Sequence, residues 1–303
     1  MTSATCAVTP HFVFEPLNVA PARRYDAGGL TQICSVAGLE RRPWLSRLRR
    51  AIREERFTLH YQPIVSLQSG EITHHEALVR LADEPDGSLV APARFLPAAE
   101  RYSLVGEIDR LVVSQALARI GKMRPRPLLA PRALPCSGAD ELRVAVNLSA
   151  LSVTDPGMLA HIEGELVRHR VDADRLIVEV TETAAISDMA CARDFCAGVR
   201  ALGARVALDD FGAGFGSFHY LKHLPFDYLK IDGEFIRKLT SSTADQLVVE
   251  ALVGVARGMG KQTIAEFVKD QRTVSLLREL GVDYAQGFQI GRPVAEPALA
   301  YAA

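Results

Sequence analysis

The sequence has no apolar run near the ~18 residues that a membrane-spanning helix requires, which excludes such a span. A basic start followed by an apolar stretch and a cleavage site is also missing. The expectation is therefore a cytoplasmic protein without a membrane partner. Charge of one sign is absent too: 35 Lys and Arg face 36 Asp and Glu, for a formal net charge of −1. Such a balance gives no broad attraction to a DNA or RNA polymer or to an anionic lipid surface, so a phosphate-bearing ligand must be held by local charges or by metal ions. Cysteine is sparse: Cys6, Cys34, Cys136, Cys191 and Cys196 form an odd, scattered set. Cys191 and Cys196 have neither a second pair nor a nearby His to make a zinc site, and the plain reading is reduced thiols.

What is present is ordinary globular material, 48% hydrophobic and 23% charged, enough to build a sizeable core. Residues 1–43 carry scattered Pro, Gly and Arg without periodicity and read as a tail or short accessory segment. From Trp44 the pattern changes, and the main domain is expected over 44–298. Trp44, Leu45, Leu48 and Ile52 share a helical face. Strands are predicted at 57–65, 72–81, 143–149, 175–181, 204–209, 226–231, 261–266 and 283–287. Helices are predicted at 93–121, 156–170, 187–202, 243–259 and 270–280. The short link from Leu67 to Glu71, with Ser69-Gly70, predicts a hairpin and hence one antiparallel pair. Eight strands with mostly helical crossovers predict an α/β fold, a TIM-like (β/α)8 barrel with one antiparallel strand near the start. An open doubly wound sheet is the competitor, weakened because no Gly-rich phosphate fingerprint follows the first strand. Pro125, Pro127, Pro131 and Pro135 with Ser137-Gly138 make 122–142 an irregular insertion.

The functional signal is the position of the acids. Glu76 lies inside an apolar strand, and Asn147 lies near the end of another. Glu179 follows Leu176-Ile177-Val178, with Glu182 three residues on. Asp209 and Asp210 follow Val206-Ala207-Leu208, Asp232 follows Tyr228-Leu229-Lys230-Ile231, and Glu266 follows Thr263-Ile264-Ala265. One such acid is ordinarily a salt bridge or a helix N-cap, and Asp209-Asp210 fits a turn cap. A series of acids at the C-terminal ends of successive strands is different, because in a closed barrel those ends meet at one mouth. There the carboxylates repel one another unless cations neutralise them. Carboxylate and amide oxygens without Cys or strand-end His suit Mg²⁺ or Mn²⁺ rather than Zn²⁺. Two ions sharing an Asp would clamp a phosphodiester and lower the pKa of a bridging water. Lys230 reads either as a structural ion pair or as a cation that holds water or offsets developing charge.

These residues also carry a family resemblance. Glu76-Ala77-Leu78-Val79-Arg80 resembles the E-A-L-x-R signature of the EAL domains, preceded by Tyr61-Gln62-Pro63-Ile64-Val65. Asn147-Leu148-Ser149, Glu179-Val180-Thr181-Glu182, Asp209-Asp210-Phe211-Gly212-Ala213-Gly214-Phe215, Lys230-Ile231-Asp232, Ala265-Glu266 and Gln286-Gly287-Phe288 are similar to the family's later blocks, in order. The resemblance runs from about residue 45 to 297. It implies hydrolysis of cyclic di-GMP to linear pGpG with two divalent cations, Mg²⁺ or Mn²⁺. It implies that Glu76, Asn147, Glu179 and Asp209 hold one ion, and that Asp209, Asp210 and Glu266 help hold the other. Glu266 matches the family's general base, with Lys230 and Asp232 orienting water. Gln62, Leu78, Arg80 and Gln286 would contact the ligand. Glu182 matches the anchor of the loop at 210–218, which in the family is coupled to a homodimer interface.

The departures are specific. Where the family reads E-G-V-E, this chain reads Glu266-Phe267-Val268-Lys269. A lysine in place of an acid is expected to weaken metal binding by repulsion if it faces the site. In the loop, Ala213, Phe215 and Gly216 stand for Thr, Tyr and Ser, losing hydroxyls and adding flexibility. Two other readings stand beside the enzyme: an EAL-like domain without catalysis that serves as a cyclic di-GMP receptor or protein-binding regulator, and a barrel hydrolase acting on another phosphate ester.

Overall fold

In the computed structural model of the chain, residues 41–82, 87–123, 142–212 and 221–298 are described. The expectations for 1–43 and 122–142 fall almost wholly outside them. Helix α1 (Arg41–Arg53) buries Leu48 and Ala51, with Trp44, Leu45 and Ile52 packed against the core, the stripe its spacing predicts.

Strands β1 (Phe57–Ser66) and β2 (Ile72–Ala82) form the expected hairpin, with Gln62 opposite Glu76 and His60 opposite Leu78. Gly70 closes the turn at φ 76°, a backbone that favours glycine. A two-residue strand, β3 (Leu89–Val90), pairs with the end of β2 at the edge of the sheet. The other strands are β4 (Val144–Leu148), β5 (Leu176–Thr181), β6 (Arg205–Phe211), β7 (Tyr228–Ile231), β8 (Gln262–Ala265) and β9 (Tyr284–Gln286). The ring runs β1-β9-β8-β7-β6-β5-β4-β2 and returns to β1, so eight strands close into a barrel. Strand β1 is antiparallel to both neighbours, β2 and β9; the remaining pairs in the ring are parallel.

One predicted element needs correction. The helix expected over 93–121 is two helices, α2 (Pro92–Arg101) and α3 (Val105–Lys122). Ser103 sits between them at φ 53°. Its N–H donates to Glu100 O at 3.0 Å, and the Leu104 N–H donates to Ala99 O at 2.8 Å. That pattern is a Schellman cap. A serine takes the position glycine usually holds, and buried Phe95, Ala99 and Val105 carry the apolar pattern across the break. The sequence therefore hides it.

Three short helices follow strands directly: α4 (Ala150–Val153) after β4, α6 (Glu182–Ser187) after β5 and α8 (Gly233–Arg237) after β7. The longer crossovers are α5 (Pro156–His169), α7 (Met189–Ala201), α9 (Thr243–Gly258) and α10 (Gln271–Glu279). Most of the apolar core lies between barrel and helices, where each fully buried Leu or Ile stabilises by about 1.5–3 kcal/mol.

Inside the barrel, Ile64, Ala145, Ile177, Ala207, Tyr228 and Ile264 form a separate layer, with Tyr284 against it. The two-residue period of a strand then puts the next inward side chain above each: Asn147, Glu179, Asp209, Lys230, Glu266 and Gln286. Because β1 runs the other way, its mouth residue, Gln62, precedes Ile64. On β2, His74 lies below Glu76, its ring 5.6 Å from both Tyr228 and Tyr284. An apolar floor thus supports a polar mouth.

Candidate active site

Lys230 is the centre of the mouth. It is 0% exposed. Its Nζ lies 2.8 Å from Glu266 Oε1, 2.9 Å from Glu179 Oε2, 2.9 Å from Asp209 Oδ1 and 3.7 Å from Glu76 Oε2. Four carboxylates therefore share one ammonium. Burial alone would lower the lysine's pKa, but Asp209, Glu179, Glu266 and Glu76 together hold it well above the usual range. Burial raises Glu179 well above the carboxylate range; Lys230 opposes this, while Glu76 and Asp209 add to it. Burial likewise pushes Glu266 up to about 8, with Lys230 opposing and Asp209 and Glu76 adding. The group is short of positive charge, so a second cation is favoured.

The carboxamides fix Glu76. Asn147 Nδ2 donates to Glu76 Oε1 at 2.6 Å, and Gln286 Nε2 donates to Glu76 Oε2 at 2.6 Å and to Gln62 Oε1 at 3.2 Å. Gln62 Nε2 in turn donates to Gly291 O at 3.0 Å. Leu78 and Arg80 follow Glu76 on the same side of β2 and are half-buried. Arg80 donates from Nη1 to Val79 O at 2.9 Å; burial lowers its pKa and the Glu76 charge opposes that.

A bulge brings the paired aspartates together. The β6–β7 register shifts between Leu208 and Phe211, and Asp210 takes φ 55°. Regular alternation would send Asp209 and Asp210 to opposite faces. Here Asp209, Asp210 and Glu266 each bring a carboxylate oxygen within 4.8 Å of the others, an arrangement able to hold a metal ion. Asp210 is pushed up to about 6 by burial and then by Asp209, with Lys230 opposing. The donor set fits a hard divalent ion. Glu179 Oε1 and Gln286 Oε1 are also buried without a hydrogen-bond partner, which leaves oxygen lone pairs for such an ion.

The motif residues divide into two kinds. Asn147, Glu179 and Lys230 point into the mouth, while the polar residue two places after each is an N-cap. Ser149 caps α4 by accepting from Ser152 N, Thr181 caps α6 by accepting from Ala184 N, and Asp232 caps α8 by accepting from Glu234 N at 2.6 Å. Asp232 is half-buried and is not one of the four carboxylates paired with Lys230; its charge acts on Asp210. Glu182 is buried, and its Oε2 accepts from Gly212 N at 3.3 Å, at the exit of β6. The loop residues beyond it, 213–220, lie outside the described residues.

The sequence reading missed Asp109. This buried carboxylate on α3 accepts with Oδ2 from Ser149 N at 2.9 Å, Ser149 Oγ at 2.6 Å and Ser152 Oγ at 2.6 Å. Burial raises its pKa and the two serines oppose that. It holds the turn just beyond Asn147. Only the apolar face around it hinted at an inward position. Lys269, by contrast, is exposed.

A closed parallel-rich barrel with a buried cluster of oxygen donors at its C-terminal mouth is an architecture shared with TIM-like metal-dependent hydrolases. The chain belongs to the EAL domain family, whose profile matches residues 45–293. It is 37% identical over 251 residues to the cyclic di-GMP phosphodiesterase PdeB of Shewanella oneidensis, covering 82% of this chain and 28% of PdeB. It is 33% identical to the cyclic di-GMP phosphodiesterase PdeF of Escherichia coli, covering 82% of this chain and 31% of PdeF. The chain thus matches roughly a third of the length of these curated relatives. Among solved structures it is similar to the PaMucR phosphodiesterase in complex with c-di-GMP, at 34% identity and a TM-score of 0.73, covering 83% of this chain and 97% of that one. It is also similar to the c-di-GMP-bound FimX EAL domain of Pseudomonas aeruginosa, at 28% identity and a TM-score of 0.73, covering 85% and 98%. Among the described residues, no helix is long and apolar enough to cross a membrane.

Proposed function

We propose that this chain is a divalent-metal-dependent phosphodiesterase that opens cyclic di-GMP to linear pGpG. The carrying observation is the buried set Glu76, Glu179, Asp209 and Glu266 around Lys230, in a chain that keeps every candidate ligand of its family's motifs. Glu76, Asn147, Glu179 and Asp209 would hold one Mg²⁺ or Mn²⁺. Asp209, Asp210 and Glu266 would hold a second. When bound, the ions supply a water of lowered pKa and a clamp on the phosphodiester oxygens.

The protein's own groups do the rest. Lys230 offsets negative charge at the reacting phosphate, and Glu266, whose pKa burial raises, takes a proton from the attacking water. Asp232 helps orient that water from the start of α8. Gln62, Leu78, Arg80 and Gln286 bind and orient the dinucleotide at the rim. Glu182 anchors the exit of β6, and the loop after it belongs to a homodimer interface. The free thiols Cys191 and Cys196 go with a cytoplasmic enzyme.

The test is chromatography of pGpG after incubation with cyclic di-GMP in Mg²⁺, Mn²⁺ or chelator, with Glu76→Ala and Glu266→Gln alongside. Product that needs metal and is lost in both variants supports the enzyme. Binding without product favours the receptor reading, for which Phe267 and Lys269 are the specific departures. Equal turnover of a generic phosphodiester would instead make it a broader phosphate-ester hydrolase.

A further inference from the structure

Exposed aromatic rings are confined to one end of the barrel. Among the described Phe, Tyr and Trp side chains, only Phe267 and Phe288 are exposed, at 53% and 61%. Phe267 follows Glu266 directly, and Phe288 lies two residues beyond Gln286. Both therefore stand where β8 and β9 leave the mouth. Each ring also carries an arginine. The guanidinium carbon of Arg237 is 4.2 Å from the Phe267 ring centroid, and that of Arg292 is 4.4 Å from the Phe288 centroid.

Phe267 is the one that packing does not explain. The family pattern E-G-V-E has glycine at this place. The backbone lies at φ 53°, a conformation that glycine enters freely and a bulky side chain rarely does. This chain thus carries a ring where the backbone opposes it and where water still reaches half of the residue. An outlier of this kind beside a polar site points to a ligand. The ring's place is set by Gly233, where an added Cβ would lie 2.2 Å from Phe267 Cδ2 and 2.7 Å from Cγ. Gly233 follows Asp232 and opens α8, and Arg237 ends that helix. The ring therefore lies between the exits of β7 and β8, next in the chain to Glu266 and against the neighbour of Asp232.

The acids and Lys230 can engage a phosphodiester and its ions, but they offer nothing to the flat face of a base. An exposed aromatic ring does, because every base has a π face that stacks on it. Arginine extends that surface, since its planar guanidinium stacks on rings and presents a fork of donors. The fork matches the O6 and N7 acceptors of guanine; adenine puts a donor in place of O6.

We propose that Phe267 and Arg237 form a guanine platform that this chain adds to the family's site. One base of the dinucleotide stacks on the ring, and Arg237, held against the ring, donates to the O6 and N7 edge. The identity of the ligand rests on the phosphodiesterase reading. The platform acts on affinity and leaves the acids around Lys230 as they are.

The test is steady-state turnover of cyclic di-GMP with Mn²⁺ by the full-length parent and by variants at the two residues. Phe267→Gly has an unstrained backbone, so kcat and Mn²⁺ half-saturation, followed by electron paramagnetic resonance, should stay within about twofold. KM should rise about 10-fold, the loss expected for one base–aromatic stack. Phe267→Tyr should hold KM within about threefold of the parent. Arg237→Ala and Arg237→Lys should each raise KM about fivefold, because lysine keeps the charge without the planar fork. In the Phe267→Gly background, Arg237→Ala should add less than about twofold, since no ring holds the guanidinium there. An unchanged KM in Phe267→Gly would overturn the proposal. A lower kcat or weaker Mn²⁺ binding would overturn it too, because the ring would then be shaping the metal site. Parent-like KM in Arg237→Lys, or additive effects of the two residues, would overturn the part given to Arg237.

If the parent makes no pGpG, the phosphodiesterase reading fails and the platform is judged by equilibrium dialysis of cyclic di-GMP. Binding about 10-fold weaker in Phe267→Gly supports it, and unchanged binding overturns it. A parent that neither cuts nor binds cyclic di-GMP overturns both.

Discussion

Asn147 donates from Nδ2 to Glu76 Oε1 at 2.6 Å, so its carbonyl oxygen is the end left for a cation. Asn147→Asp would replace that donor with a second carboxylate. The two acids would then repel, at a cost of about 1–3 kcal/mol when no metal is present. Thermal unfolding in chelator should show the variant below the parent, and Mn²⁺ should narrow the gap. An equal gap in both conditions would mean that this pair does not face a metal.

Lys230 supplies the positive charge that the described structure sets among Glu76, Glu179, Asp209 and Glu266. Lys230→Met leaves those acids buried and uncompensated, for which a loss of about 3–5 kcal/mol is expected in urea unfolding with chelator. Mn²⁺ should recover part of the stability but not the turnover, because the ion cannot also replace the lysine at the phosphate. Full recovery of turnover would remove Lys230 from the chemistry.

Lys269 stands where the family carries an acid, and the sequence reading expects repulsion there if it faces the site. In the structure it is exposed, and its charge acts on Asp270. Asp270 is held below the usual carboxylate range first by hydrogen bonds from Thr273, with Lys269 adding to them. Lys269→Glu is therefore expected to change Mn²⁺ half-saturation by less than about threefold, as for a screened surface charge. Tightening by tenfold or more would restore the repulsion argument.

The mouth was legible because acids inside apolar strands are costly and so conspicuous. The two-residue period of a strand makes them readable: Ile177 below Glu179 and Ile264 below Glu266 are neighbours two apart in the chain. What stayed hidden depends on contacts between distant segments. Asp109 meets Ser149 across 40 residues, and no local pattern marks the pair. Gly233 reads as a helix start until the Phe267 ring is seen against it. The Ser103 break and the Asp210 bulge are backbone events at residues other than glycine, where a left-handed conformation is seldom expected. Strand ends were therefore readable, and the ties between them were not.

The barrel floor provides a pH test. His74 is pushed down to about 3 by burial, then by His75, Lys230, Arg143 and Arg205. His75 is lowered to about 4, mainly by burial. An unfolded chain protonates both near 6.5, so below that pH the unfolded state binds more protons than the native one. Their contribution is complete above pH 6.5 and is lost as pH falls toward the folded values, each costing about 2 kcal/mol by pH 5. Glu266, raised to about 8, acts in the opposite sense in chelator. Its contribution is present below the unfolded carboxylate pKa and is lost as pH rises through about 8. The parent's profile alone therefore mixes the two. Comparison with His74→Leu separates them, since only the histidine contribution changes. Between pH 7 and pH 5 the parent should lose about 2 kcal/mol more than the variant in urea unfolding. Parallel profiles would mean that His74 takes up its proton in the native barrel, and that the floor below Glu76 is open to water.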